Sequence, residues 1–353
     1  MEVIKNTTIA YPHARGYNCE SASQRNLFKF LGVDISEENV FGLDASFGFT
    51  FFETKKNEPD IIVGKSEIFP LNAVKLLGFK VNEIKTYNSA RLFDTIKQYI
   101  DEGCPLLCRV DMGHLRYLKL APGNYFGGYF IVIVGYNESE QALTISDIQF
   151  DELQTVTIAE FSKAQSSIDS HPVNPNRQVF VYKNFHALFD LEKNCPLAIR
   201  TAVRNFLKPR ISNFGLPAIH KLRSAVAGWE KTKSFSAVTG ETSFMVNDSP
   251  LIHQCQRFAK SIGEFGSDGA FFRSMYSVFL DNCFQACGKT LLNEATALIA
   301  KSAGYWKQIF ALMQTIDNKT TKSDISNMLL ETDVKLIEIL KLETRAFDTL
   351  KRF

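Results

Sequence analysis

A change in the hydrophobic pattern near residue 195 constrains the fold of this chain more than any other feature of the sequence. Before this point, helical patterns come first and short β-rich segments follow, which is the order typical of an α+β domain. After it, the strand-like segments vanish and apolar residues recur at helical spacing. The sequence therefore predicts an α+β domain over residues 1–190 and an all-α domain over residues 195–353, joined through Asn184–Pro196.

The predicted elements follow from periodicity and from the residues that end each segment. In the first half, helices end before glycines and strands lie between turn residues: helices at Ser21–Leu31, Leu71–Leu77 and Ser89–Ile100, and strands at Pro105–Val110, Tyr129–Tyr136, Ala142–Ser146 and Gln178–Tyr182. In the second half, apolar faces indicate helices from Pro217 to Trp229, through Phe272–Cys283, near Leu291–Met313 and near Asp324–Lys351.

The composition is that of a globular protein and argues against several other classes. At 353 residues the chain is long enough for two domains, and its 45% hydrophobic and 22% charged residues argue against disorder. No apolar run reaches the ~18–20 residues of a membrane helix, and the N-terminus lacks the apolar stretch of a signal peptide. Seven cysteines are too few, and odd in number, for a disulfide scaffold. We expect a cytoplasmic protein without membrane contact, and the oligomeric state stays open, a homo-oligomer included.

The charge is unevenly spread over the two halves. Residues 1–194 carry 19 Lys and Arg against 24 Asp and Glu, a net charge of −5, whereas residues 195–353 carry 21 against 14, a net charge of +7. This difference is either ordinary scatter of solvated surface charge or a sign that the second half meets an acidic partner. The basic residues form no run with interleaved aromatics, so nucleic acid is a poor candidate for that partner.

The strongest candidate nucleophile is Cys19. It directly precedes the first predicted helix and follows the turn-like residues Gly16-Tyr17-Asn18. A thiol at a helix N-terminus faces unpaired N–H groups and the positive end of the helix dipole, which lowers its pKa and favours the thiolate. The same N–H groups can stabilise an oxyanion. A cysteine at this position can also be a small buried apolar residue, and position alone does not decide between the two.

Three longer runs add to the evidence from this one residue. GYNCESASQRNLFKFLGVDISEENVFGLDASFGFTFF (Gly16–Phe52) and FGGYFIVIVGYNESEQALTISDIQFDELQTVTIAEFSKA (Phe126–Ala164) resemble the N-terminal domain of the butirosin-biosynthesis acyltransferase family. GEFGSDGAFFRSMYSVFLDNC (Gly263–Cys283) is similar to the GxGG-x-x-FR signature of the domain that usually accompanies it. The resemblance extends over nearly the whole chain, with the three runs in the family's order and spacing.

The resemblance implies a papain-like cysteine fold for the first domain, followed by the family's all-α domain. It also implies an activity: transfer of an acyl group from a carrier-protein thioester onto an amine, through an acyl-enzyme on Cys19, in specialised metabolism. The expected partners are an acyl or peptidyl carrier protein, which presents the substrate on its phosphopantetheine arm, and a small amine acceptor. No bound cofactor is expected.

One position departs from the family pattern. In FGGH-x-x-x-x-x-GY the histidine is the expected general base, and here Tyr129 occupies its place, with Gly135-Tyr136 in register behind it. A neutral phenol has a pKa near ~10 and is a poor base at pH 7. Three interpretations follow: Tyr129 orients a thiolate already formed by the helix dipole, another histidine enters the site, or the protein has kept binding and lost chemistry.

Other residues are candidates for the same site. Asp147 ends a predicted strand at the position of the family's third catalytic residue, although an Asp there is also a common turn starter. His13 lies six residues before Cys19, where papain-like enzymes place an oxyanion-hole glutamine. His114 follows a predicted strand and could reach the site from a loop as an alternative base. Either histidine can equally be a solvated loop residue.

Two further residues are candidates for substrate binding. Gly128, just before Tyr129, either lets substrate approach the backbone or only forms a turn. Arg273 either pairs with a carboxylate or phosphopantetheine phosphate of the substrate, or makes a structural ion pair. The pairs Cys104-x3-Cys108 and Cys283-x3-Cys287 lack partner ligands at zinc-site spacing, so no metal site is predicted.

These observations favour an amide-forming acyltransferase. The competing interpretations are a thioester or amide hydrolase on the same scaffold, with water in place of the amine, and a non-catalytic carrier-binding protein. A peptidase is a further and weaker alternative. The sequence does not identify the acyl chain, the amine or the general base.

Overall fold

The computed structural model describes residues 5–55, 58–65, 71–84, 89–121, 123–170, 173–184, 186–233, 250–263 and 269–353. The chain folds into two compact units. The first, here called the sheet unit, comprises Met1–Val40 and Leu71–Asp190, and the second, called the helical unit, comprises Phe41–Pro70 and Leu191–Phe353. The division differs from the predicted one because the segment 41–70 groups with the helices.

The strands, in chain order, are β1 (Asn6–Thr8), β2 (Phe47–Phe52), β3 (Ile61–Lys65), β4 (Lys80–Ile84), β5 (Leu106–Val110), β6 (Tyr129–Asn137), β7 (Ala142–Ser146), β8 (Gln154–Thr157) and β9 (Val179–Lys183). The helices are α1 (Cys19–Phe30), α2 (Glu37–Leu43), α3 (Asn72–Leu77), α4 (Ser89–Asp101), α5 (Ile158–Ser166), α6 (Leu191–Leu207), α7 (Gly215–Thr232), α8 (Pro250–Gly263), α9 (Arg273–Cys287), α10 (Thr290–Met313) and α11 (Lys322–Leu350). Short 3-10 turns lie at Met112–His114 and Arg116–Leu118.

The sheet unit is built on an antiparallel sheet in the order β4-β9-β5-β6-β7-β8, with β1 pairing to the far end of β6. The four strands predicted from the sequence are β5, β6, β7 and β9, and all are confirmed within two residues. Helix α1 packs on β6, while α4 and α5 pack on β5. The prediction of an α+β region followed by a helical region is confirmed in these terms.

The register of β5, β6 and β7 brings two candidate residues to the same end of the sheet. Tyr129 is the first residue of β6 and pairs with Val110 at the end of β5. Ser146 is the last residue of β7 and pairs with Val132 of β6, so Asp147 follows directly beyond the strand. Because neighbouring strands run antiparallel, the start of β6 and the end of β7 lie side by side.

The helical unit contains the antiparallel hairpin β2–β3 as well as helices α6 to α11. All but the last residue of β2 are buried, with no alternation of exposed and buried positions. Strand β2 packs against α6 and α7, and β3 packs against α8. In the part of the chain that the structure describes, residues 195–353 contain helices and no strand, as predicted, but the unit that they build also includes a hairpin from early in the sequence.

Polar contacts at the hairpin explain why it belongs to the helical unit. Asp60, which is buried, accepts hydrogen bonds from Trp229 Nε1 (2.9 Å) and from Lys233 Nζ (2.8 Å). The backbone N–H of Phe51 donates to the carbonyl of Asn213 (2.9 Å). A buried carboxylate requires such partners, and the residues that provide them lie more than 160 positions away in sequence.

The helices predicted in the second half are confirmed: the ends of α10 and α11 shift by one or two residues, whereas α7 ends three residues after Trp229 and α9 ends four residues after Cys283. Pro217 lies in the first turn of α7. The face formed by Phe272, Met275, Phe279 and Cys283 is buried throughout. Helix α6 begins at Leu191 and carries Pro196 inside it, so the predicted joining segment is partly helical. Within the described residues, no helix has both the length and the apolar character needed to cross a membrane.

Candidate active site

Cys19 is the first residue of α1, as the position of its turn predicts. The side chain of Asn18 caps the helix: its Oδ1 accepts hydrogen bonds from the N–H groups of Glu20 and Ser21, both at 3.1 Å. The Cys19 thiol is half-buried, and its Sγ lies 4.0 Å from the carbonyl oxygen of Gly128. The nucleophile candidate therefore lies against the chain segment that leads into β6.

The loop before Cys19 is held in place by hydrogen bonds to Glu37 of α2. The Glu37 carboxylate accepts hydrogen bonds from the N–H groups of Tyr17 (3.1 Å) and Asn18 (2.8 Å). Arg25 forms an ion pair with it at 3.6 Å, and burial raises the pKa of Glu37. A Cβ at Gly16 would lie 2.5 Å from Glu37 Oε2, so this close approach requires glycine. The position of the thiol is thus fixed by a buried polar network.

Tyr129 and Asp147 are joined by a direct hydrogen bond. The Tyr129 hydroxyl donates to Asp147 Oδ1 at 2.5 Å, and the Tyr117 hydroxyl donates to Oδ2 at 2.8 Å. The N–H of Gln149 donates to Oδ1 at 3.0 Å. Asp147 is fully buried, so its carboxylate is satisfied by two phenols and one backbone amide.

The electrostatics of this network determine what each group can do. Burial raises the pKa of Tyr129 well above its ordinary value, and the negative charges of Asp147 and Cys19 raise it further. The phenol therefore stays protonated at neutral pH and is not a general base. Burial also raises the pKa of Asp147, against the hydrogen bonds that lower it, so this carboxylate is a better proton acceptor than an exposed one.

Tyr117 is a member of this network that the sequence pattern did not reveal. It lies on the second 3-10 turn, three residues after His114, in a segment without periodicity. Burial and the charge of Asp147 raise its pKa, so it too acts as a neutral hydrogen-bond donor. The sequence drew attention to the right segment through His114, but no spacing rule relates Tyr117 to a carboxylate 30 positions away.

The two candidate histidines are engaged elsewhere. The ring of His13 lies 2.7 Å from Ser146 Oγ through Nδ1 and 3.0 Å from the Phe150 carbonyl through Nε2. Both nitrogens thus have a hydrogen-bond partner within the sheet unit, which argues against an oxyanion-hole role. The structure therefore gives the oxyanion-donor role of His13 no support, and that role stays a prediction.

His114 is the second histidine considered as an alternative base. Its Nε2 lies 3.0 Å from Asp169 Oδ2 and 3.2 Å from Ser167 Oγ, and its ring packs near Tyr125. None of these partners is Cys19, Tyr129 or Asp147, because the 3-10 turn directs the imidazole toward the end of α5 instead. The structure therefore does not bring His114 to these residues, and its role as an alternative base stays a prediction.

Gly127 and Gly128 lie where the chain enters β6, and both are buried. A Cβ at Gly127 would lie 2.4 Å from the Val173 carbonyl oxygen, so the close approach of the backbone at Val173 requires glycine at position 127. Beside Gly128 lies the partly exposed ring of Phe126. The carbonyl of Gly128 faces the Cys19 sulfur, as described above, and a role for Gly128 in substrate binding stays a prediction.

Arg109 of β5 places a cation near the thiol. Its Nε donates to the Gly127 carbonyl (2.9 Å) and its Nη1 to Gln178 Oε1 (2.9 Å). Burial lowers the pKa of Arg109, while the charges of Glu20 and Cys19 oppose this shift. A guanidinium remains charged at neutral pH even so. It supplies positive charge in a site that lacks an imidazole at position 129.

Arg273 is buried inside the helical unit, where its Nε and Nη2 donate to the two carboxylate oxygens of Glu343 at 2.9 and 3.0 Å. Its Nη1 donates to the carbonyls of Gly48 (2.8 Å) and Phe271 (2.9 Å). The substrate-binding prediction for Arg273 is corrected: the bidentate pair is structural. Of the surrounding sequence run, 264–268 lies outside the described residues.

The geometry is that of a site built from a cysteine thiol and a buried carboxylate. The half-buried thiol lies at the N-terminus of α1, and Asp147 with its two tyrosine donors lies where β6 begins and β7 ends. Among the residues that the structure describes, no three His, Cys, Asp or Glu side chains are arranged to hold a metal ion.

Comparison with known proteins gives the family. Residues 18–148 match the family model described as Butirosin biosynthesis protein H, N-terminal, and residues 159–350 match the one described as Domain of unknown function (DUF4872). The second match covers more than half of the chain, and the chain belongs to the family that joins these two domains. This confirms the resemblance drawn from the sequence motifs. No curated protein matches the chain.

Proposed function

We propose that the protein is an acyltransferase in which Cys19 takes an acyl group from a carrier-protein thioester and passes it to an amine, giving an amide. The observation that carries this proposal is the placement of the Cys19 thiol, at the start of α1, against the segment leading into Tyr129, with Tyr129 bonded to Asp147. Membership in a family named for butirosin biosynthesis supports a role in specialised metabolism.

The proposed scaffold is papain-like. In that arrangement a cysteine opens a helix that packs on an antiparallel sheet, and two polar residues on neighbouring strands complete the site. Here α1 packs on β6, Tyr129 begins β6, and Asp147 follows β7. The order of these elements supports the proposed papain-like site, in which a phenol takes the place of the imidazole.

Proton transfer is the step that the phenol alters. Tyr129 cannot accept a proton and keep its own, but it can pass one on. In the proposed acylation the Cys19 sulfur attacks the carbonyl carbon of the thioester, and the Cys19 thiol proton moves to the Tyr129 oxygen as the Tyr129 proton moves to Asp147, whose raised pKa suits it to this task. The C–S bond to the pantetheine arm then breaks, and the departing thiolate takes a proton from solvent. Arg109 and the helix N-terminus stabilise the negative charge that develops on sulfur.

The second half-reaction reverses these transfers. The amine attacks the acyl carbon of the Cys19 thioester, the new C–N bond forms, and the C–S bond breaks. Asp147 returns its proton through Tyr129 to the departing sulfur, and the amine loses its extra proton to solvent. Aminolysis of a thioester is downhill and the amine surrenders its proton late, so a weak base is tolerated better here than in a peptidase.

The rim of the site suits a pantetheine arm. Tyr17, two residues before Cys19, is 58% exposed, and Phe126 beside Gly128 is 39% exposed. Exposed aromatic rings next to a reactive thiol offer apolar contact to the arm and to the acyl chain. The substrate is thus a covalently carried acyl group, and we propose no bound cofactor.

For the carrier protein we propose the basic face of the helical unit. A groove of about 600 Å³ along α7 and α11 is lined by Lys341, Arg345 and Arg352, with one acidic residue, Asp348. Carrier proteins are acidic, so this face offers charge complementarity. Arg352→Glu should weaken binding of a loaded carrier protein at low salt, whereas Arg116→Glu, the same charge change in the sheet unit, should not. Salt-independent binding would contradict this surface assignment.

Two alternative functions could use the same site. The raised pKa of Tyr129 favours a carrier-binding protein without chemistry, since the phenol alone is no base. Water in place of the amine would make the same site a hydrolase. Product analysis separates these from amide formation.

The test uses acyl N-acetylcysteamine thioesters, which mimic the end of the pantetheine arm. We expect the intact protein to gain the mass of one acyl group on Cys19, and Cys19→Ala to gain none. Cys104→Ala is the matched control because Cys104 is also half-buried in the sheet unit. Adding a primary amine should then release amide. Release of acid alone would favour the hydrolase, and no mass gain with any chain length would favour the binding protein.

A further inference from the structure

Three of the seven cysteines meet in the helical unit. Cys195 lies on α6, and Cys283 and Cys287 lie four residues apart on α9, so these two share one helix face. The Sγ atoms of Cys195 and Cys287 are 3.4 Å apart. All three are free thiols. Any small apolar residue could fill these positions in the core, so packing alone does not require that two sulfur atoms be in contact.

The three thiols differ in accessibility and charge. Cys195 and Cys283 are fully buried, whereas Cys287 is partly exposed at the last residue of α9. Hydrogen bonds from Cys283 and Cys287 lower the pKa of Cys195, and burial together with the charge of Cys195 raises the pKa of Cys287 to about 12. One sulfur thus ionises more readily while its neighbour is open to solvent.

We propose that Cys195 and Cys287 form an oxidation site at which hydrogen peroxide converts the two thiols into a disulfide. A disulfide has an S–S length near ~2.05 Å, so the sulfurs need to approach by only ~1.4 Å. Cys287 is followed by Gly288 in a left-handed conformation that ends the helix, and a helix end adjusts more easily than its middle. By the geometry of the described residues the three thiols do not form a metal site.

The reaction balances with peroxide as the oxidant. One sulfur attacks a peroxide oxygen, the O–O bond breaks, and the thiol proton leaves with the departing hydroxide as water, which gives a sulfenic acid. The second sulfur attacks the sulfenic sulfur, the S–S bond forms, the S–O bond breaks, and the second thiol proton leaves in a second water. Two thiols lose two electrons, and the peroxide is reduced to two waters.

This site is independent of Cys19 and of the proposed acyl transfer. The new bond would close a loop of 92 residues and tie α6 to α9. A cross-link over such a loop restricts the unfolded chain strongly, so we expect the oxidised protein to melt about 5–10 °C above the reduced protein. Dithiothreitol should reverse the shift.

The test oxidises the full chain with hydrogen peroxide, blocks remaining thiols with N-ethylmaleimide and maps tryptic peptides. We expect Asn194–Arg200 linked to Ser274–Lys289 through Cys287, as fragment ions of the linked pair will show. Cys283→Ala should keep this link, whereas Cys287→Ala should lose both the link and the rise in melting temperature.

Other results would overturn the proposal. If Cys195, Cys283 and Cys287 of the peroxide-treated wild-type protein are all recovered as N-ethylmaleimide adducts while Cys19 alone is oxidised, the site does not exist. If the link runs through Cys283 instead, the pair has been assigned wrongly. Both outcomes are read from the wild-type chain, so they hold even if a variant folds poorly.

Discussion

The two units each bury a carboxylate, and they hold it in opposite ways. In the helical unit Glu343 receives a bidentate guanidinium from Arg273, with Ser302 Oγ at 2.7 Å. In the sheet unit Asp147 receives two phenols and one backbone amide, all of them neutral donors. Both carboxylates are fully buried.

The difference separates a structural group from a chemical one. A guanidinium compensates the charge of Glu343, so this buried pair is costly to break. Neutral phenols satisfy the lone pairs of Asp147 without cancelling its charge, and burial raises its pKa. A carboxylate held in this way is suited to accept a proton during a reaction.

Removing the cation should have the largest effect on stability. Arg273→Ala leaves Glu343 buried and uncompensated, and we expect a loss of about 3–5 kcal/mol in the free energy of unfolding. Arg345→Ala is the control, since Arg345 is 69% exposed and pairs with Glu294 at 3.0 Å. That exposed pair should contribute less than about 1 kcal/mol. Urea unfolding measures both, and equal small losses would contradict the structural role of Arg273.

The two phenols should separate chemistry from packing. Tyr129→Phe and Tyr117→Phe each remove one donor from Asp147, and each should cost about 1–2 kcal/mol of stability. The rate of Cys19 acylation should fall about 10²-fold only in Tyr129→Phe, because Tyr129 is the phenol whose pKa is raised by the charge of Cys19. Stopped-time mass spectrometry measures this rate.

Tyr129→His gives the complementary result. An imidazole with a pKa near ~6.5 suits proton transfer at pH 7, so acylation should be preserved or faster. An acylation rate in Tyr129→Phe equal to that of the wild type would show that Tyr129 takes no part in the proton transfer.

The pH dependence of stability tests the state of Asp147 directly. Its folded pKa is raised above the ordinary value of about 3.9. Between these two pKa values Asp147 is therefore protonated more often in the folded protein than in the unfolded chain. Its contribution to stability is therefore full below about pH 4 and is lost as the pH rises through the folded pKa. The free energy of unfolding of the wild type minus that of Asp147→Asn should fall with pH, by at most about 1.4 kcal/mol per pH unit.

Urea titrations of the wild type and Asp147→Asn between pH 4 and 7 provide the measurement. Glu37 also has a raised pKa, but it is common to both proteins and cancels in the difference. A difference that stays constant or rises with pH would show that Asp147 is not held in a raised state.

The sheet-unit side of this comparison could be predicted from the sequence, because local patterns located the elements that carry its residues. A turn before an apolar helix located Cys19, and short β-rich segments located Tyr129 at the start of one strand and Asp147 at the end of the next. Antiparallel pairing of adjacent strands then brings these two residues together. Each step relies on neighbours in sequence.

The remainder depends on contacts between distant segments. The hairpin β2–β3 joins the helical unit through Asp60, whose partners Trp229 and Lys233 have no sequence relation to it. Tyr117 reaches Asp147 from an irregular loop. The engagement of His13 by Ser146 and Phe150 is equally non-local. Periodicity reports which face of an element is buried, but not which distant polar group meets it.

In the proposed mechanism Asp147 accepts the Cys19 proton through Tyr129 during acylation. The most direct measurement is the rate of acyl-enzyme formation from an acyl N-acetylcysteamine thioester, followed by intact mass in the wild type and in Asp147→Asn. The account predicts an acyl group on Cys19 in both proteins, formed about 10²-fold more slowly in the variant. Equal rates, with Asp147→Asn folded as judged by circular dichroism, would contradict it.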